Sequence, residues 1–174
     1  MEYAKFIPIE EEDKQNIEIK EGNILSGTVK SIQPYGAFVE IAKDKVGLLY
    51  IEDISVARMK SPSERLKIGQ NIKVMVKSIK KDKIFLSSKE LYGSWEDNIK
   101  NFEQGKIVKG IARETAKNKQ GIFIELKPNL VGMAEYKEGI KYGQDVDVYI
   151  KKIIPEKKKI KLIIFGGGNK NGRG

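Results

Sequence analysis

The stretch Tyr35–Gly–Ala–Phe–Val–Glu–Ile41 decides the fold, because its apolar residues alternate with residues bound for the other side. Ala37, Val39 and Ile41 fall on one face of an extended chain, and Phe38 and Glu40 on the other. Upstream, Leu25, Gly27 and Val29 alternate with Ser26, Thr28 and Lys30. Downstream, Ile72, Val74 and Val76 alternate with Lys73, Met75 and Lys77. A period of two with one polar face predicts antiparallel strands covering a core on one side.

The same stretch occurs twice. Tyr35–Ile41 matches Gln120–Gly–Ile–Phe–Ile–Glu–Leu126, and Val46–Gly–Leu48 matches Val131–Gly–Met133, both 85 residues apart. Glu21–Gly–Asn–Ile24 matches Gln104–Gly–Lys–Ile107, and Gly27 matches Gly110, both at 83. Ile68–Gly–Gln–Asn–Ile–Lys–Val74 returns as Tyr142–Gly–Gln–Asp–Val–Asp–Val148, and Lys83–Ile–Phe–Leu86 as Lys159–Ile–Lys–Leu162. Ordered matches whose gaps fall in turns indicate a duplication. Each copy, 21–90 and 104–165, predicts five strands, too few for a seven-strand sandwich. A five-stranded closed barrel of the oligonucleotide/oligosaccharide-binding (OB) type fits and removes the exposed edges. The expected fold is therefore all-β: two tandem barrels joined by a short helix.

Composition narrows the chemistry. The 174 residues include no His and no Cys, which removes imidazole bases, thiolate nucleophiles, disulfides and His or Cys metal sites. Carboxylates show no ligand-like spacing, so neither a metal, a cofactor nor catalysis is expected. Lys+Arg number 33 against 24 Asp+Glu, a net +9, which suits a polyanionic partner. Residues 1–20 form an acidic leader with 3 basic and 6 acidic side chains, so the positive charge belongs to the barrels. Lys supplies 29 of the 33 basic residues, favouring attraction to a phosphate backbone over forked reading of bases. An AT-rich coding bias toward Lys accounts for the same count. No apolar run reaches the ~18 residues of a membrane span and the start lacks a secretory layout, so a cytoplasmic location is expected.

Between the copies, residues 91–103 read as a helical linker. Ser94 followed by Asp97 resembles a capping box, and Trp95, Ile99 and Phe102 share a face. Trp95 is either a stacking platform or, the favoured reading, a plug against a barrel end. The Gly-rich tail, 166–174, has nothing to bury and is expected to be disordered.

Three rings of copy one are candidates for binding. Phe38 points outward by parity, Tyr50 closes the third strand, and a bulge at Gly36 would bring Tyr35 onto the same side. Beside Lys30, Lys73 and Lys83, they would stack bases while lysines follow phosphates. The alternative is a satellite cluster folded over the barrel rim.

Together, Gly22-x-Ile24-x-x-Gly27-x-Val29, Tyr35–Gly–Ala–Phe–Val–Glu, Gly47–Leu–Leu, Gly69–Gln-x-Ile-x-Val and Ile84-x-Leu86–Ser87 resemble the S1 domain, the RNA-binding repeat of bacterial ribosomal protein S1. The resemblance implies an OB barrel holding single-stranded RNA on strands two and three. Tyr35 and Phe38 fill the family's aromatic positions. Tyr50 replaces a His, Lys80 stands where an Asp is usual, and Lys83 replaces an Arg. Copy two resembles a degenerate S1 domain: Gln120 and Glu135 replace two contact residues and Phe123 survives. With Lys151 and Lys152 it forms a candidate weak second site.

The expected function is thus non-catalytic binding of mRNA or rRNA, with little sequence selectivity, in translation or mRNA metabolism. A protein-interaction adaptor, docking on the ribosome or an RNA-processing enzyme, is the rival. Its natural contacts would be the leader and the Ser55–Lys67 loop with Arg58, Lys60 and Arg65.

Overall fold

The computed structural model describes residues 18–166. The tail beyond Gly166 and the leader before residue 18 lie outside them. Ten strands form two closed five-stranded barrels, in the order β1-β2-β3-β5-β4 and β10-β8-β7-β6-β9. The first barrel comprises β1 (Ile24–Gln33), β2 (Gly36–Ala42), β3 (Lys45–Tyr50), β4 (Asn71–Lys80) and β5 (Lys83–Ser87). The second comprises β6 (Ile107–Thr115), β7 (Ile122–Lys127), β8 (Leu130–Ala134), β9 (Asp145–Ile154) and β10 (Lys159–Ile164). The chain divides into two compact units at Tyr92/Gly93.

The alternation read from the sequence is the alternation that packs. Leu25, Val29, Ala37, Val39, Ile41, Leu49, Val74, Val76 and Leu86 form the first core, joined by Ile54 and Leu66 from the long connection after β3. Ile54, Ala57, Pro62 and Leu66 are buried, so that connection is largely packed chain, with Arg58 and Lys60 left exposed and Arg65 half-buried. Ile19 also packs on this core. The second core gathers Ala112, Ile122, Ile124, Leu130, Val146, Val148, Ile150, Ile160 and Leu162.

The repeated glycines mark where walls touch. A Cβ on Gly27 would lie 2.5 Å from Val39 Cγ1, and one on Gly110 2.5 Å from Ile124 Cγ2. Only hydrogen fits at either place.

Two features depart from the sequence expectation. The barrels are not wholly antiparallel: β3 pairs with β5 in parallel, as β8 does with β10. Closing a five-stranded sheet on itself forces one such pair, because an odd number of strands cannot alternate all the way round. Nor is there a bulge at Gly36. The β1–β2 ladder runs in register from Ser31↔Phe38 to Gln33↔Gly36, with its irregularity at Val29/Ser31 instead. Tyr35 sits in the two-residue turn before β2, and the turn, not a bulge, sets its direction.

Helix α1 (Trp95–Ile99) is closed by a reciprocal capping box. The Asp97 N–H donates to Ser94 Oγ at 3.0 Å, and the Ser94 N–H donates to Asp97 Oδ2 at 3.3 Å. The second of these bonds holds the Asp97 carboxyl below its ordinary range, since the charged form is the better acceptor. Trp95, Ile99 and Phe102 pack against the second core, as the plug reading of Trp95 requires.

Candidate nucleic-acid interface

On the first barrel, one outward row crosses three strands. Phe38 on β2 stands abreast of Leu48 on β3, and Leu48 abreast of Phe85 on β5. With strands about 4.8 Å apart, Phe38 and Phe85 are roughly 10 Å apart across the wall. Tyr50 lies two residues beyond Leu48, and its ring runs parallel to that of Phe85, within 12° at 6.0 Å between centroids. Tyr35 meets Phe38 edge-on, at 6.4 Å and 89°.

Local backbone geometry holds both pairs. The Ile51 N–H donates to the Tyr35 carbonyl at 2.8 Å, and Gly36 faces Tyr50 in the ladder. A Cβ on Gly36 would collide with the Leu49 carbonyl oxygen, so the residue between Tyr35 and the strand must be glycine. Tyr35 is 48% exposed; Phe38, Tyr50 and Phe85 are half-buried. Each ring therefore presents one side outward while the other rests on the barrel.

The lysines divide. Lys83 stands two residues before Phe85, directly opposite Lys80. Like charges abreast in a ladder repel, and Lys81 and Asp82 fill the turn between them with positive φ of 49° and 68°. Lys30 adjoins Ser31, the residue abreast of Phe38, and its ammonium is 3.7 Å from Glu40. Lys73 is set apart. It lies opposite Ser26, five residues along β4 from Ser78, which faces Phe85. That is about 16 Å of strand.

Beneath Tyr50, the turn Ile51–Asp53 places the Asp53 carboxylate, 3% exposed, between Lys77 at 3.0 Å and Lys89 at 3.3 Å. The hydrogen bond to Asp53 raises the Lys77 pKa above its ordinary 10.5. The Asp53 carbonyl accepts from the Ser88 N–H at 2.9 Å. This knot ties the end of β3 to β4 and β5 and fixes the floor under the Tyr50–Phe85 pair.

Sequence reasoning overlooked Phe85. Its signal was available, since it alternates with Ile84 and the buried Leu86 as Phe38 alternates with Ala37 and Val39.

The second barrel has a different face. Phe123 is 37% exposed and abreast of Met133. Gln120 and Glu135 are exposed, and Glu135 pairs with Lys151 at 3.1 Å. Lys152 is exposed on β9, opposite Lys161. Where Lys30 and Glu40 form a loose surface pair, their counterparts Arg113 and Glu125 form a buried one at 2.8 Å, with Tyr142 under the guanidinium at 5.5 Å. Among the described residues no cluster of carboxylates suits a metal ion, and no helix is long and apolar enough to cross a membrane.

A closed five-stranded barrel of this strand order is an OB barrel, a fold shared by proteins that bind oligonucleotides and oligosaccharides. Residues 18–89 match the S1 RNA binding domain. Over 170 residues the chain is 35% identical to small ribosomal subunit protein bS1 of Rickettsia conorii, covering 89% of this chain and 29% of that protein. A bS1 homolog of Bacillus cereus is 32% identical over 160 residues, covering 84% of this chain and 41% of the homolog. The same identity links it to 4-hydroxy-3-methylbut-2-enyl diphosphate reductase of Clostridium acetobutylicum, of which it covers 24%. The chain thus spans well under half the length of these relatives. Among solved structures, GSP13 from Bacillus subtilis is 29% identical with a TM-score of 0.42, over 44% of this chain and 61% of that one.

Proposed function

We propose that the chain is a non-catalytic RNA-binding protein that holds single-stranded RNA on the outer face of its first barrel. Bases stack on Tyr35, Phe38, Tyr50 and Phe85, while Lys30, Lys80 and Lys83 follow the backbone. Lys73 adds attraction from the far end of β4. Stacking tolerates any base and lysine carries no fork, so sequence selectivity is low. The partner is mRNA or rRNA in the cytoplasm, and the process is translation or mRNA metabolism, in keeping with the bS1 relatives. Phe123, Lys151 and Lys152 give the second barrel a weaker contact.

The observation that carries this reading is the grouping of four rings outside a barrel whose core is already complete. Exposed rings lose the benefit of burial, and a stacking partner restores it. The test is fluorescence anisotropy of a short unstructured RNA at two salt concentrations, comparing the protein with Phe38→Ala/Tyr50→Ala. The double variant is expected to lose about 2 kcal/mol or more. Binding that ignores the rings and simply disappears with salt would defeat the proposal, and a protein-docking adaptor on the ribosome or an RNA-processing enzyme would replace it.

A further inference from the structure

One outer row of side chains occurs in both barrels and is finished in only one. On the first barrel, Ile24 on β1 stands abreast of Met75 on β4, and Met75 abreast of Ser87 on β5. The same places on the second barrel hold Ile107 on β6, Tyr149 on β9 and Ile163 on β10. These three point outward, since the alternate residues Val148, Ile150, Leu162 and Ile164 fill the core. The first row is covered. After β5 the helical turn Lys89–Tyr92 folds back on β4, Ser87 Oγ donates to the Glu90 carboxylate, and Ile24 is left 9% exposed. After β10 come Phe165 and then only glycine, polar and charged residues, with no apolar side chain to lay over the wall. Ile107 is 51% exposed, Tyr149 38% and Phe165 58%. An uncovered apolar strip across three strands marks an interaction surface.

The borders of the strip select its occupant. Along one border Lys152 and Lys161 stand abreast, both exposed and without an ion pair among the described residues. Along the other lie Asp147, paired with Lys109 at 2.8 Å, and Phe165, whose N–H donates to the Asp147 carbonyl at 2.7 Å. Asp145 is exposed one step further along β9. A two-fold axis running along the strip, across the strands, would lay β9 of one chain antiparallel on β9 of another. Each apolar side chain then meets its own copy, Lys152 meets Asp147, and Lys161 meets the face of Phe165, an attractive contact for an ammonium. Every such contact is made twice. An axis along β9 would instead set Lys152 on Lys152 and Asp147 on Asp147, so charge admits the first arrangement and opposes the second.

We propose that the Ile107–Tyr149–Ile163 wall of the second barrel is an interface between two copies of this chain, related by the two-fold that crosses the strands. The wall contains neither β7 nor Phe123, and self-pairing through it needs no RNA. A nucleic acid would suit the lysines and rings but would leave Asp145 and Asp147 facing phosphates. A convex wall meets its like over few side chains, less than the ~1,200 Å² at which standard interfaces begin, so the pair is weak and reversible.

The experiment is sedimentation equilibrium of the full chain, without RNA, from about 10 μM to about 1 mM. The protein is expected to pass from monomer toward dimer within that range, and Ile107→Ser/Tyr149→Ser to weaken the dimer about tenfold or more. Lys152→Glu alone and Asp147→Lys alone should each stay monomeric, because each sets like charges opposite one another twice. Mixed in equal amounts, the two variants should pair again, since each chain then supplies the charge that the other needs. General stickiness of an apolar strip would not produce that rescue. Unmoved core amides in NMR spectra would show that the variants still fold. A chain that stays monomeric throughout overturns the proposal. So does a dimer indifferent to the Ile107 and Tyr149 substitutions, or a mixture no more associated than its components. RNA affinity is read apart from this by anisotropy, so failure of the ring-face reading and failure of this one are separately visible.

Discussion

Lys77 Nζ lies 3.0 Å from Oδ2 and 3.2 Å from Oδ1 of Asp53, so one ammonium from β4 grips both oxygens of the carboxylate that follows β3. The carboxylate is buried while the lysine is half exposed, so the pair is partly screened by solvent. Asp53→Ala is expected to cost about 1–2 kcal/mol in urea unfolding of the first barrel. Because the Lys77 pKa is raised in the folded state, its contribution is complete below the ordinary 10.5 and disappears as pH climbs through the raised value. Thermal melts should therefore show the gap between the protein and Lys77→Met narrowing above about pH 10.5. A gap of constant width would mean that the pair contributes nothing.

Salt dependence separates the lysines near the rings from those set apart. Each phosphate contact to a single strand contributes about −0.7 to the slope of log affinity against log salt. Lys80→Gln/Lys83→Gln should make the slope shallower by about 1.4, whereas Lys73→Gln should change it little. Equal effects from all three would assign them to general attraction.

The Lys81–Asp82 turn is strained, since two residues with side chains hold positive φ. Asp82→Gly relieves one of them and is expected to stabilise the first barrel by about 1 kcal/mol in urea unfolding. It also removes the carboxylate among Lys80, Lys81 and Lys83, so RNA should bind more tightly at low salt. Added stability without added affinity would place this hairpin away from the phosphates.

Trp95 packs on the second core, yet its indole Nε1 is buried without a hydrogen-bond partner among the described residues. Trp95→Phe keeps the ring and removes the unpaired donor, so it should be close to neutral. Trp95→Ala should destabilise the second barrel by about 2–3 kcal/mol. Hydrogen exchange of β8 amides would distinguish the two. Equal loss from both would mean that the N–H matters after all.

Period-two alternation was enough to place Val39, Val74, Ile124 and Val148 in their cores, because a strand has only two sides. Gly27 and Gly110 were legible as a repeated pair, and the close approach of the opposite wall explains them. The Tyr50–Phe85 pair was not legible, for a physical reason. It depends on a parallel seam between strands 35 positions apart in sequence, and nothing local to either strand announces which distant neighbour it will meet. Tyr35 shows the opposite error: its side was anticipated but its cause was not, since turns and bulges share the same glycine signal.

The seam also governs when the ring face comes into being. Tyr35 and Phe38 meet within one hairpin, which forms early because its ends are close along the chain. The second half of the face waits for β5 to arrive from beyond the long packed connection. Until then Tyr50 has no companion and the core has an open side. A chain still being made, or cut anywhere before Phe85, would carry half a surface, so the grip on RNA proposed for it would wait for closure of the fold.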